Sequence, residues 1–318
     1  MKEDFDNLLY KIKNNTSPEF QDAYINAEKE NTKSKYWFWS LAIIIDLLVG
    51  IKLFSFTKSL GILGILFLLV PIFIIDIILY AIINACFSKN RKAYSKLFKS
   101  NVIKKLLDNF YNNVNFLPNN QMPSRIYDEA KYNEYYNEYS SDDYMEGLLN
   151  DKHLIKMAEV HTVDVETTTD SDGNTTTTRT TKFHGLFAKI EMEKSINSEL
   201  LIRRNHSISK KNRLDMDSQE FEKLFDVSAT NQIIGMQLLT HDIMELLVSF
   251  KKMTGIEYDV SIYGNTLYLR FHTGSMFEFM SFKKGAFDEK MLKKYYDVLD
   301  FTYTLSNMLI DLIEKTEI

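Results

Sequence analysis

The chain has 318 residues, of which 45% are hydrophobic and 25% are charged, and its formal net charge is −5. This length can hold a membrane segment and one substantial domain, and its single cysteine excludes a disulfide framework. Residues 101–318 hold 25 Lys and Arg against 34 Asp and Glu, so this part lacks the basic surface of a nucleic-acid-binding protein and we expect no nucleic-acid partner.

Residues 1–35 are predicted to form a cytoplasmic amphipathic helical segment. Its apolar side chains recur at helical spacing, at Phe5, Leu8, Leu9 and Ile12. Ser17-Pro18 is typical of a helix start, with the serine as cap and the proline in the first turn. We expect this segment to pack on the domain or on the membrane face.

Two long apolar runs follow, from Tyr36 to Phe54 and from Leu60 to Phe87. Each is long enough to cross a hydrocarbon core, which takes roughly 20 helical residues. The gap from Lys52 to Ser59 is too short to hold a domain. The sequence therefore predicts a transmembrane helical hairpin over residues 36–87, with Pro71 as a kink in the second span.

More basic residues lie on either side of the hairpin than in its loop, which contains only Lys52 and Lys58. By the positive-inside rule, both termini are expected in the cytoplasm, with two spans in the inner (plasma) membrane. No cleavable signal peptide is expected, because mostly polar residues precede the first apolar run. The flanking basic residues are Lys29, Lys33, Lys35, Lys89, Arg91, Lys92, Lys96 and Lys99.

Two carboxylates lie inside the predicted spans, at Asp46 and Asp76. An ionised aspartate at mid-bilayer costs roughly 2.5–3.5 kcal/mol, and two adjacent carboxylates do not both ionise. One interpretation is a polar seam in an oligomer that carries protons or cations. The other is a pair of neutral acids that hydrogen-bond between the helices and aid packing.

Residues 88–116 are predicted to continue as a basic juxtamembrane helix. Lys89, Lys92, Lys96 and Lys99 would share one face of it. This row could lie along anionic lipid headgroups at about 1 kcal/mol for each lysine. The alternative is the ordinary basic flank of a membrane span, without lipid specificity.

Residues 117–318 are predicted to form a cytoplasmic α+β domain. Residues 117–147 are acidic and rich in tyrosine, which favours helix and loop packed on the domain rather than a disordered linker. Because tyrosines favour interfaces, residues 125–146 are the first candidate for a contact surface with a protein partner.

Strands are predicted for Lys152 to Glu166, Thr175 to Met192, Glu199 to Asn205, Ile256 to Tyr263, Leu267 to Phe271 and Phe277 to Phe282. Turn signals at Asp172-Gly173 and Gly264-Asn265 predict hairpins. Long helices are expected from Gln232 to Met253 and from Glu289 to Glu314. Five or six antiparallel strands with segregated helices indicate an α+β fold.

The order of short motifs resembles the bacterial membrane protein family catalogued as domain of unknown function 3137. The resemblance extends over nearly the whole chain, but it implies no activity for any residue. The positions that carry it are Asp143, Gly147, Glu159, His161, Phe183, Gly185, Phe187, Phe225 and Val227. Phe183, Gly185 and Phe187 alternate on one strand face, which predicts two buried rings with a close backbone approach at the glycine.

The soluble part contains few candidates for chemistry. Glu159, His161 and His184 could form a metal cluster, but no close ligand spacing is present and strand histidines are more often satisfied surface or core groups, so we expect no metal or cofactor. Residues 170–174 depart from a calcium loop, because their glycine is fourth rather than sixth. No phosphate loop, nucleophile elbow or cysteine nucleophile is present in residues 88–318.

The sequence therefore favours a non-enzymatic binding or scaffolding module that a helical hairpin holds on the membrane. It would act on a protein partner or by self-association. The alternatives are an oligomeric transport or channel accessory that uses Asp46 and Asp76, and a membrane-bound enzyme with a dispersed site around Glu159, His161 and His184.

Overall fold

The structure is a computed structural model that describes residues 2–57, 61–132, 134–209, 213–279 and 281–315. The chain divides into two compact units. A helical unit comprises residues 12–101 and 279–287, and a sheet-containing unit comprises residues 1–11, 102–278 and 288–318. Helix α1, Phe5–Asn14, begins in the sheet-containing unit and ends in the helical unit.

The helical unit is built from α2 (Pro18–Thr57), α3 (Gly61–Cys86) and α4 (Lys89–Phe98). The Ser17 hydroxyl accepts a hydrogen bond from the Phe20 N–H at 3.2 Å, as expected for the cap of α2. Helix α2 then runs unbroken for 40 residues. Residues 18–35 of the polar N-terminal segment and the first apolar run are therefore one helix.

Within the described residues, two helices are long and apolar enough to span a membrane, over Pro18–Lys52 and Leu69–Cys86. Only 11% and 6% of their most apolar stretches are buried within the protein. A bent pair formed by α8 (Gln232–Leu238) and α9 (His241–Thr254) also meets the length and composition limits. However, α9 buries its apolar residues, including Leu247 and Phe250, in the sheet-containing unit.

The other unit contains, in its described part, an eight-stranded and fully antiparallel sheet in the order β1-β2-β3-β4-β8-β7-β5-β6. The strands are β1 (Asn112–Leu117), β2 (Glu138–Leu149), β3 (His153–Thr169), β4 (Thr175–Glu191), β5 (Glu199–Arg204), β6 (Phe225–Ala229), β7 (Tyr258–Tyr263) and β8 (Thr266–Phe271). Its further helices are α5 (Lys104–Asp108), α6 (Ser124–Asp128), α7 (Gln219–Glu222) and α10 (Glu289–Lys315). This arrangement confirms the α+β class.

Each face of the sheet has its own cover. On one face, Phe250 of α9 stacks on Phe301 of α10 with ring centroids 4.0 Å apart, and both rings contact Tyr258 of β7. The other face carries Phe183, Phe187 and Tyr268 under a layer from the tyrosine-rich segment. Both faces of the central strands are thus buried.

Several sequence-based boundaries were wrong. The predicted helix over residues 88–116 ends at Asp108, after a π-helical turn at Lys99–Ile103, and residues 112–117 are strand β1. Residues 138–149 are strand β2 rather than helix or loop, because pairing with two neighbours outweighs the low strand propensity of their acidic residues.

Two further predictions needed correction. The helix expected from Gln232 to Met253 breaks between α8 and α9, which meet at 68°, because the Thr240 side chain caps a new helix by accepting from the Ile243 N–H. The described residues of 277–282 form no strand, and a 3-10 turn begins at Phe282.

Candidate functional site

A cavity of about 170 Å³ opens where β2, β3 and β4 lie side by side beyond the end of β8. Two of the family-motif positions, Glu159 and His161, line it, and Asp143, Phe183 and Gly185 are next in sequence to lining residues. Its lining comprises Ser140, Ser141, Asp142, Glu159, Val160, His161, His184 and Ser275. The cavity is therefore the first candidate for a functional site in the sheet-containing unit.

Glu159 fixes the loop that closes one side of the cavity. Its Oε1 atom accepts hydrogen bonds from the backbone N–H groups of Met276 at 2.6 Å and Phe277 at 2.5 Å. The side chain is buried, at 4% exposure, and two N–H donors satisfy part of its charge. Glu159 thus positions residues 276 and 277.

Three carboxylates converge beside this loop. Oxygens of Asp142, Asp143 and Glu159 lie within 4.8 Å of one another. Asp143 is fully buried and has a φ of 53°, within the irregularity that β2 forms between Asp142 and Met145. The left-handed backbone at Asp143 turns consecutive acidic side chains toward the same place.

The two histidines of the cavity are register partners across β3 and β4. The ring centroids of His161 and His184 are 4.6 Å apart, and Nε2 of His161 lies 3.3 Å from the Thr181 hydroxyl. Partial burial and the neighbouring His161 lower the pKa of His184 below its usual value, against an opposing effect of Asp142. His184 is therefore held toward its neutral form.

The expected close backbone approach at Gly185 is confirmed. A Cβ atom added there would lie 1.8 Å from the Phe271 carbonyl oxygen and 2.7 Å from the Thr273 nitrogen. Phe183 and Phe187, two residues to either side, are fully buried in the same cluster. This part of the motif shapes the fold at the point where the chain leaves β8.

The other motif positions are buried or closely packed against neighbouring backbone. Phe225 and Val227 of β6 are buried, at 2% and 1% exposure. Gly147 of β2 faces the carbonyl oxygen of Asn112, which would lie 3.3 Å from an added Cβ. None of these three residues lines the cavity described above.

Asp46 and Asp76 face each other within the helical unit, close enough for their charges to interact. The Oδ1 atom of each is buried, and neither has a hydrogen-bond partner among the described residues. The pair is thus brought together by α2 and α3, as the antiparallel hairpin required.

The predicted row of lysines is shorter than expected. Lys89, Lys92 and Lys96 are exposed on α4, but Lys99 is buried, at 7% exposure. Lys99 lies where the α-helix passes into the π-helical turn, between the buried side chains of Phe98 and Val102. It therefore does not extend the exposed basic face.

The tyrosine-rich segment is a layer of the fold rather than a free surface. Tyr127 and Tyr132 are buried, and Tyr136, Tyr139 and Tyr144 pack against their cluster, whereas Tyr135 is 71% exposed. The acidic residues of this segment pair within the unit, as Glu134 does with Arg203 and Arg270.

The sequence did not reveal the buried ion network beneath this layer. Arg270 of β8 is fully buried, and its guanidinium bonds Glu134 at 2.7 Å and contacts Asp259 and the Tyr127 hydroxyl. The Tyr132 ring lies 4.0 Å from the guanidinium carbon. A single arginine within the apolar strand TLYLRF was the available signal.

The fold and these clusters define an α+β domain joined to a pair of apolar helices. Residues 181–310 match the model of a family described as "Protein of unknown function (DUF3137)". This match supports the family assignment over these residues. The match contains Phe183, Gly185, Phe187, Phe225 and Val227, and the four motif positions in β2 and β3 precede it.

No curated protein matches the chain. Among solved structures, the chain is similar to the crystal structure of the mycobacterial trehalose monomycolate transport factor A, TtfA. The two share 9% sequence identity and a TM-score of 0.28, over 58% of this chain and 88% of that chain. A similarity at this level carries no argument about function.

Proposed function

We propose that this protein is a membrane-anchored, non-enzymatic binding or scaffolding module that self-associates on the cytoplasmic side of a bacterial plasma membrane. Two spans and cytoplasmic termini follow from the charges that flank the hairpin. The single observation that carries the binding role is a β-ribbon with an open edge, formed by β3 and β4 beyond the rest of the sheet.

The surface of the helical unit supports the membrane anchor. Its exposed apolar side chains would meet water without a bilayer. They are Ile43, Ile44, Leu47, Leu48, Ile51, Leu69, Val70, Phe73, Ile74, Ile77 and Ile78. Trp37, Trp39 and Tyr80 are exposed at one end of the hairpin, where Phe38 and Tyr80 rings lie 5.5 Å apart. Aromatic residues at this position suit a membrane interface.

The ribbon leaves the sheet because β4 pairs with β8 only from Leu186 to Glu191. From Thr175 to Thr181, β4 is exposed, and in the described part of the chain only β3 pairs with it there. Such an edge presents unpaired N–H and C=O groups to another strand. Its sequence, TTTTRTT, favours extended structure and carries a single charge.

The hydrogen-bond register identifies which groups point outward. The Asp170 N–H bonds the Asn174 carbonyl, and bonded and non-bonded pairs alternate along an antiparallel ribbon. The N–H and C=O groups of Thr175, Thr177, Arg179 and Thr181 therefore point away from β3.

This outward set is self-complementary, which favours a second copy of the chain as the occupant. A two-fold axis through Thr178 would pair Thr177 with Arg179 of the other copy, and Thr175 with Thr181. No like charges would lie opposite each other in this register. Confinement to one membrane raises the effective concentration of the two edges.

Cysteine cross-linking in membranes tests this interface. The chain has one cysteine, so Cys86→Ser provides a clean background for Thr178→Cys. The proposed axis places the Cα atoms of the substituted residue in the two copies about 4.5 Å apart, as a non-bonded pair within reach of a disulfide. We expect a covalent dimer on mild oxidation.

The matched control is Thr176→Cys in the same background. Thr176 lies on the same face of the same strand, but in this register its copies would be more than about 7 Å apart and could not be bridged. Equal cross-linking of the two variants, or none at Thr178→Cys, contradicts the proposed interface. If a different protein is captured at this edge, the edge is still a binding site, but its partner is not a second copy of the chain.

Lipid contact is a second part of the proposal. The exposed Lys89, Lys92 and Lys96 would lie near anionic headgroups, each contributing about 1 kcal/mol. Residues 125–146 are a weaker candidate for partner contact than the ribbon, because most of their tyrosines are buried or packed against the buried cluster.

A transport or channel accessory is the second candidate function, favoured by the facing carboxylates of Asp46 and Asp76. In an oligomer these groups could line a polar seam for protons or cations. Asp46→Asn combined with Asp76→Asn tests this role. Loss of assembly or of a proton leak in vesicles supports it, and unchanged behaviour of the double variant excludes it.

A further inference from the structure

We propose that His161, His184 and Asp142 form a binding site for a divalent late transition metal such as Zn²⁺. Two imidazoles and one carboxylate are a donor set that suits zinc, and a three-residue set leaves one coordination position open. This site is independent of the self-association proposed above.

The sheet places the two imidazoles together. His161 and His184 are opposite each other in the β3–β4 register, and their ring centroids are 4.6 Å apart. Both rings line the same cavity, whose volume of about 170 Å³ is ample for a metal ion with a bound water molecule. The sequence suggested that these two histidines lie on partner strands, and the structure gives their register.

Asp142 supplies the third donor from β2. Its side chain is exposed, lines the same cavity and interacts electrostatically with His184. The three donor atoms are not yet as close as a metal requires, since the carboxylate lies instead within 4.8 Å of Asp143 and Glu159. A change of rotamer at exposed Asp142 and partly exposed His161 would bring them together.

Glu159 is not one of the ligands in this proposal. Its Oε1 atom already accepts two backbone N–H groups, and its burial leaves little freedom to turn. Glu159 and the buried Asp143 instead place further carboxyl oxygens beside the site. The proposed set therefore differs from the Glu159–His161–His184 cluster that was considered from the sequence.

Metal binding by the full chain in detergent tests the proposal. The protein is purified with a tag that contains no histidine, stripped with chelator and titrated with Zn²⁺ by calorimetry. We expect one Zn²⁺ for each chain and a tetrahedral visible spectrum with Co²⁺. His184→Ala and His161→Ala should each weaken the affinity at least about tenfold, and Asp142→Asn should weaken it less.

The matched control is His241→Ala, which removes an exposed histidine at the start of α9. It should leave the affinity unchanged. His161→Gln, checked for an unchanged circular dichroism spectrum, distinguishes a lost ligand from a lost fold. Absence of stoichiometric Zn²⁺ binding by the wild type, or binding that persists when both histidines are replaced, overturns the proposal.

Discussion

Arg270 is a charged side chain with no exposed surface, and its partners determine whether the charge is tolerated. Asp259 and Glu134 neutralise it, while Tyr132 covers it. Asp259 also faces Arg203 and His272, so β7, β8, β5 and the tyrosine layer meet at one network. A buried network of this kind favours one specific native packing only if every charged or polar group in it keeps a partner.

Replacing Arg270 with methionine should therefore destabilise the protein strongly. The change leaves the buried Asp259 and the partly buried Glu134 without their main partner, and we expect a loss of about 3–5 kcal/mol in the free energy of local unfolding. Hydrogen–deuterium exchange of the β7 and β8 amides measures this loss. Arg179→Met, at an exposed pair with Glu138, should cost no more than about 1 kcal/mol. Similar effects of the two variants would contradict the importance of the network.

The same network predicts how stability depends on pH. Burial acts to raise the pKa of Asp259, but the hydrogen bond with His272 and the charges of Arg270 and Arg203 outweigh it and lower the pKa to about 2. The pKa of Glu134 is also lowered, since Arg270 and Arg203 oppose its burial. Carboxylates with a depressed folded-state pKa stabilise the protein above their unfolded-state value and lose that contribution on acidification.

We therefore expect stability to fall as the pH decreases from about 4 to about 2, with Asp259 contributing about 2 kcal/mol of the loss. Urea unfolding followed by near-ultraviolet circular dichroism of the tyrosines measures it. Asp259→Asn should have a lower stability that depends less on pH over this range. An unchanged slope in that variant would show that other carboxylates control acid unfolding.

Residues 279–287 pack against helices α2 and α4 within the helical unit. Tyr94 of α4 is fully buried, donates a hydrogen bond to the Ala286 carbonyl at 3.0 Å and contacts the Phe279 ring at 4.9 Å. Phe20 of α2 stacks on Phe287 at 5.6 Å. These aromatic contacts hold nine residues from late in the chain against helices from its beginning.

Tyr94→Ala should release this segment, because removal of a buried aromatic ring typically costs about 3–5 kcal/mol. The 3-10 turn at Phe282–Lys284 contains Lys283 and Lys284, so limited trypsin digestion reports its release directly. We expect cleavage there to accelerate at least about tenfold. Tyr36→Ala, at a ring that is 71% exposed, should leave the rate unchanged. Resistance of Tyr94→Ala to trypsin would contradict the aromatic anchoring.

The elements that follow from local pattern were predicted well. The apolar runs of α2 and α3, the long β3 and β4 strands and the hairpin at Asp172-Gly173 all depend on periodicity or turn chemistry within a few residues. Gly185 was also identified correctly, because a glycine between alternating buried rings marks a place where another segment of backbone comes close.

The elements that depend on distant partners could not be predicted in this way. Strand β2 is acidic and becomes a strand only through pairing with β1 and β3. The hydrogen bonds from residues 276 and 277 to Glu159 join positions 117 and 118 residues apart, so no local signal places them together. For the same reason, the sequence could suggest Glu159, His161 and His184 as a cluster but could not show that Glu159 binds the backbone of residues 276 and 277.

The whole molecule combines two helices apolar enough to span a membrane, a covered antiparallel sheet and a ribbon whose outer edge is open. The proposed anchor would cover the exposed apolar helices, and the open edge is the surface of the proposed self-association. Proline at an outward position of β4 removes an edge donor and blocks approach of another strand. Thr177 is such an outward position on β4. Its register partner Thr167 on β3 has its backbone groups pointing outward on the opposite edge of the ribbon, so a proline at Thr167 is the matched control.

The most direct measurement is the molar mass of the full chain extracted from its membranes in mild detergent, with detergent mass subtracted by light scattering. The proposal predicts that the chain is recovered in the membrane fraction as a dimer, that Thr177→Pro is a monomer and that Thr167→Pro remains a dimer. A monomeric wild-type chain, or a dimer that Thr177→Pro leaves intact, would contradict self-association through the β4 edge.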